Sequence, residues 1–181
     1  MKLTLIILAA LISLIGVSVF IVQGSRNSAI TYEETVTTAK SDVEVQLHRR
    51  VNLLTELADC VASYNRHEAE TLKQVIAQRG IGMSDKEAGD IELQIKAVAE
   101  QYPDLKAEKN YGKFMVELST TENLVAQHKK AYNASVRAYR RHCRSFPANI
   151  FLGWLGYEMQ EFEYFHSEAD DAKPMKLFKD I

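Results

Sequence analysis

Residues 107–146 read AEKNYGKFMVELSTTENLVAQHKKAYNASVRAYRRHCRSF. Within this run Phe114, Leu118, Thr121, Val125, His128, Tyr132, Val136, Tyr139, Cys143 and Phe146 recur at steps of three or four. A helix turns once in about 3.6 residues, so these positions form a single stripe along one face. Pro147 closes the run, because proline lacks a backbone donor and clashes with the turn before it. A stripe about nine turns long cannot stay in water unpartnered, so the chain must supply further helices to cover it.

The N-terminal side supplies them. Val36, Ala39, Val43, Leu47, Val51, Leu54, Ala58 and Val61 step in the same way and predict a helix from about Ala29 to Ser63. Asn65 with Glu68 has the form of an N-cap followed by an acid, which restarts a helix carrying Leu72, Val75 and Ile76 inward. That helix stops at Gly80. Ser84 and Glu87 make a capping box for a third helix with Ala88, Ile91, Ile95, Val98 and Tyr102, ended by Pro103. No window alternates with period two, so no sheet is expected. The predicted fold is all-α: an antiparallel bundle of long helices, four-helix and coiled-coil-like, behind an N-terminal membrane helix.

The membrane helix is read from Leu3–Val22, LTLIILAALISLIGVSVFIV, an uncharged run of 20 residues. At about 1.5 Å per residue it spans roughly 30 Å, the thickness of a bilayer core. A cleaved signal peptide would carry a shorter apolar region of about 7–15 residues, so an uncleaved anchor is the better reading. Lys2 flanks one side, and Arg26 and Lys40 the other, nearly a tie. The short N-terminus with one lysine favours leaving the domain outside the cytoplasm. The expected organisation is therefore an anchor over 1–24, a bundle over 25–147, an apolar and aromatic segment over 148–166, and a flexible tail over 167–181.

Composition excludes several classes. The chain has 181 residues, 46% of them hydrophobic, with a net charge of −2, an ordinary globular balance. Lys and Arg are spread along it, which gives no concentrated basic face and no expectation of nucleic acid. Cys60 and Cys143 stand alone, without metal-type spacing. In an antiparallel bundle they fall at opposite ends, too far apart for a disulfide, so both are expected as seam residues.

Together, Val45-Gln46-Leu47 with Arg49-Arg50, His67-Glu68, Tyr102-Pro103-Asp104-Leu105-Lys106-Ala107, Thr121-Glu122-Asn123, Tyr132-Asn133 and Phe146-Pro147 resemble the LemA family of bacterial membrane proteins. The resemblance covers nearly the whole chain. It departs at Thr55-Glu56, where the family often carries Pro-Asn, and in a shorter connection between the second and third helices. It implies a single-pass protein of the bacterial inner membrane with an all-helical domain, and it transfers no catalytic residue or cofactor. Some relatives are linked with internal membrane organelles of magnetotactic bacteria, which brings a membrane-organising role into view.

Residues with chemical capacity each have a plainer reading. Glu163 and His166 have the Glu-x-x-His spacing of di-iron bundles, but the second pair and the extra glutamates are missing, so a solvated polar segment is expected and no metal. His67, Glu68 and Glu70 suit a helix start. Thr121 and His128 interrupt the apolar stripe and read as structural hydrogen-bonding residues that fix register. Arg49-Arg50 and Lys129-Lys130 read as solvated helix faces, with a contact surface for lipid or protein as the alternative. Phe151, Trp154 and Tyr157 are the candidate membrane-interface residues, in the apolar segment after Pro147. That segment either touches the membrane or folds back to cap the bundle. The partners expected are the lipid bilayer through residues 3–22 and proteins bound by the helical surfaces, with self-association left open. No cofactor is expected.

Overall fold

The computed structural model describes residues 2–166, with side chains from Ile7 onward. The tail expected over 167–181 lies outside the described residues. Among those described there are helices and no strand. A long α1 (Lys2–Ala62) is followed by α2 (Arg66–Arg79), a 3-10 turn (Gly80–Gly82) and α3 (Asp85–Gln101). A short α4 (Pro103–Ala107), the long α5 (Lys109–Arg144) and α6 (Ala148–Trp154) complete the order. The anchor and the first bundle helix are thus one continuous helix, where the sequence suggested a start near Ala29.

Local chemistry accounts for the boundaries. Asn65 caps α2 by accepting the Glu68 N–H at 3.2 Å. At α3 the Ser84 hydroxyl accepts the Glu87 N–H at 3.2 Å, while the Glu87 carboxylate accepts the Ser84 N–H at 2.9 Å. Gly80 ends α2 at φ +54°, a left-handed conformation that a side chain would strain. Pro103 occupies the first turn of α4, where its missing donor costs nothing.

The described chain divides into two compact units, 41–130 with 165–166, and 2–40 with 131–164. The larger has the main core, in which Leu54, Leu57, Val61, Leu72, Ile76, Ile91, Ile95, Leu105 and Leu118 draw on α1 through α5. Each such side chain contributes about 1.5–3 kcal/mol on burial. Here α1 and α5 run antiparallel: Arg50 meets Glu122, and Cys60 lies near Glu108. The α1 stripe is broader than predicted, since Leu53 and Leu57 are also buried.

In the other unit Ala29, Val36, Tyr132, Val136, Tyr139 and Cys143 are buried, while residues 7–21 of α1 stay exposed. Its apolar window has a mean hydropathy of 2.4 and is 0% covered by the rest of the chain. By length and composition this apolar stretch could cross a membrane, and it is not packed into the bundle core.

Four expectations are corrected. Phe146 is 80% exposed instead of closing the α5 seam, and His142, one turn earlier, packs on Tyr32 with ring centroids 5.2 Å apart. The inferred register set Phe146 beside Tyr32, whereas His142 takes that place, so the two helices are offset by about a turn from the expected pairing. Arg50 is fully buried, not solvated. Lys129 does not lie free on a helix face but binds both oxygens of Asp85 at 2.8 Å.

Candidate membrane-interface site

The end of α5 is fastened to α1 just beyond the apolar run. The Nε2 of His142 lies 3.0 Å from the Ser25 carbonyl oxygen. A carbonyl only accepts, so Nε2 carries the proton in this contact. Ser25 is three residues past Val22, about 4.5 Å along the helix. The Cys143 thiol beside it is buried, and desolvation pushes its pKa up, as expected of an inert seam residue. Cys60 is likewise free.

After α6 the chain turns at Gly156, whose φ of +63° suits glycine, and runs back along α5 as an extended strap. Tyr157 donates to Glu33 Oε2 at 2.6 Å, and its hydroxyl lies 3.1 Å from that of Tyr139. Desolvation and then the Glu33 carboxylate push the Tyr157 pKa well up, which keeps the phenol a donor. Tyr139 also accepts the Gln160 N–H at 2.9 Å, and Tyr132 donates to the Glu163 carbonyl at 3.0 Å. Arg140 donates to the Phe162 carbonyl and lies over the Tyr164 ring at 4.7 Å. The strap bonds its Gln160, Phe162 and Glu163 backbone groups to α5 side chains.

The three candidate residues therefore have different surroundings. Trp154 is 76% exposed on α6, close to the equally open Phe146 and to Ile150 in sequence. Phe151 is half-buried, its ring 6.1 Å from that of Trp154. Tyr157 is half-buried and turned to Glu33.

The last turns of α5 add a feature that the sequence reading missed. Arg137, Arg140, Arg141 and Arg144 share one helix face and, with Ser145 and Tyr164, line an open pocket of about 370 Å³. The signal was present as arginines at i, i+3, i+4 and i+7 inside an acid-free stretch from Asn123 to Tyr157. The even average spread of Lys and Arg concealed it.

The other polar centre is in the larger unit. Arg50 donates to the Met83 carbonyl at 2.8 Å and to Asp85 at 2.9 Å, with Glu122 at 3.5 Å. Desolvation acts to raise Asp85, but the hydrogen bonds from Lys129 and Arg50 outweigh it and hold the carboxyl low. Glu122 goes the other way, because desolvation exceeds its longer contact with Arg50. This cluster ties α1, the start of α3 and α5 together. Thr121 is fully buried beside it, and its hydroxyl has no partner among the described residues, so it does not pair with His128.

The remaining candidates have no site around them. Glu163 and His166 lie in non-helical chain, so their spacing does not bring them to one helix face. Among the described residues no group of three His, Cys, Asp or Glu could hold a metal ion.

A family model described as the LemA family matches residues 39–177. The chain is similar to Protein LemA of Metamycoplasma hominis, 26% identical over 84% of this chain and 71% of that protein. It is also similar to Magnetosome protein MamQ 2 of Paramagnetospirillum magneticum and to Magnetosome protein MamQ of Magnetospirillum gryphiswaldense. Each is 23% identical over 86% of this chain and 71% of the relative.

Proposed function

The chain belongs to the LemA family, and from that premise we propose that it is a membrane-anchored, non-enzymatic scaffold whose helical surfaces bind protein partners. The observation that carries this reading is the continuity of α1 from the apolar run into the bundle. A helix that continues without an interposed linker suits a scaffold better than a freely tethered enzyme. Exposed apolar residues on the bundle helices, Val45, Leu93 and Val116, are the natural contact points. Similarity to proteins named for the magnetosome supports work at a membrane structure. Photocrosslinkers at these three positions in native membranes should capture the same few proteins repeatedly. Capture of lipid alone, or of a different abundant protein each time, would count against the scaffold reading.

A second reading, direct membrane contact by the segment after Pro147, is favoured by the hydrogen bond between His142 and Ser25. If residues 3–22 cross the bilayer, that bond keeps the end of α5 within about 5 Å of the hydrocarbon edge. Phe146, Ile150 and Trp154 follow directly and are open to a lipid surface. Tyr157 then serves as the clamp that holds the segment to α1 through Glu33.

A further inference from the structure

The arginine face of α5 is a charge concentration that no ion pair neutralises among the described residues. Arg137 through Arg144 span about 10 Å of helix and carry four permanent positive charges. From Asn123 to Tyr157 the sequence contains no Asp or Glu. Among the described residues Arg137, Arg141 and Arg144 form no ion pair, and Arg140 spends itself on the Phe162 carbonyl and the Tyr164 ring. The helix dipole favours cations only within the last turn, which accounts for Arg144 and Arg141 but not for Arg137 and Arg140. Like charges at i+3 and i+4 repel one another, so an external anion must gain by meeting them.

Position selects the anion. His142, between Arg141 and Cys143, is bonded to Ser25, about 4.5 Å past the end of the apolar run. The headgroup layer on each face is roughly 5–8 Å deep, so the guanidinium groups of Arg141 and Arg144 stand at phosphate height. Arg137 and Arg140 line the same open pocket further along the helix. Guanidinium matches a phosphate with paired hydrogen bonds, and Tyr164 and Ser145 add polar groups to the same pocket.

We infer that Arg137, Arg141 and Arg144, with Arg140 in the same pocket wall, form a binding face for the phosphate groups of anionic phospholipids, in the leaflet beside the bundle. The inference rests on the reading that residues 3–22 cross the bilayer. It adds lipid selectivity to what would otherwise be an apolar anchor.

The test uses the full chain in phosphatidylcholine vesicles with traces of spin-labelled phosphatidylglycerol or phosphatidylcholine, measuring which label the protein immobilises. Phosphatidylglycerol should be preferred at least about fivefold, the factor that one arginine near an anionic surface supplies. About 1 M NaCl, which shortens the screening length to about 3 Å, should abolish the preference. So should the combined Arg137→Gln, Arg141→Gln and Arg144→Gln variant, which spares Arg140 and should melt like the parent. Equal association with both lipids, or an undiminished preference in the variant, overturns the inference. Protein that resists a carbonate wash yet shows no preference sinks this inference alone. Protein that washes off sinks the anchor reading with it.

Discussion

Replacing Arg50 by methionine keeps most of the side chain's volume and removes its charge and donors. Arg50 is 0% exposed, so nothing can be recovered from water without opening the core. The Met83 carbonyl, bonded at 2.8 Å, loses its charged donor, and an orphaned buried acceptor costs about 1–3 kcal/mol. Asp85 suffers less, because Lys129 still holds both its oxygens at 2.8 Å. Glu122, at 3.5 Å and one-third exposed, can turn toward solvent. With the lost charge-assisted bonds, the expected destabilisation is about 3 kcal/mol, at the low end for breaking a buried pair. For a chain of this size that lowers Tm by roughly 6–12 °C. Arg49 is the internal control: adjacent, half-exposed, and 3.7 Å from Glu117. Arg49→Met should cost no more than about 0.5 kcal/mol. Melts of detergent-solubilised protein followed by circular dichroism would compare the two. Equal shifts, or a more stable Arg50→Met protein, would refute the assignment of Arg50 as the tie between α1, α3 and α5.

Leu118→Asp should unfold the larger unit, because Leu118 is 1% exposed and its new carboxylate has no partner there; a retained cooperative melt would contradict this. The two acids on Arg50 should respond oppositely to pH. Asp85, held low, contributes stability above the ordinary carboxylate range that is lost as pH falls through its folded pKa. Asp85→Asn is therefore less stable at neutral pH, with the gap closing below about pH 4. Glu122, held high, contributes stability in acid that is lost as pH rises through its folded pKa, so Glu122→Gln should be at least as stable as the parent at neutral pH. Melts across pH 4–7 that ranked both variants alike would overturn this reading. Tyr157→Phe removes the hydrogen bond to Glu33 and should free the strap, seen as faster chymotryptic cleavage after Phe162 with the global melt moved by no more than about 1 kcal/mol; unchanged cleavage would count against the clamp.

Helix existence was legible wherever burial follows a period. In α5, Leu118, Thr121, Val125, Tyr132, Val136, Tyr139 and Cys143 are all buried as the spacing required. The caps at Asn65 and Ser84 were readable because their hydrogen bonds are local. Long-range facts were not. Phe146 has an apolar side chain at the right spacing, but α5 ends at Arg144, so the residue no longer belongs to the helical face. Arg49 and Arg50 are chemically identical in the sequence, and only the approach of Met83 and Asp85 from another element buries the second. The arginine face was visible as a spacing, yet its meaning depends on His142 meeting Ser25, 117 residues earlier.

The membrane-contact reading and the arginine face both require the end of α5 and the start of α6 to meet the membrane interface beside the anchor. Trp154 is the chain's single tryptophan and is 76% exposed, so its fluorescence reports on this segment alone. The decisive measurement is quenching of Trp154 by phospholipids brominated at successive depths, with the full chain in liposomes. The account predicts strongest quenching by bromines near the headgroups. Trp154 emission that is unquenched at every depth would contradict it.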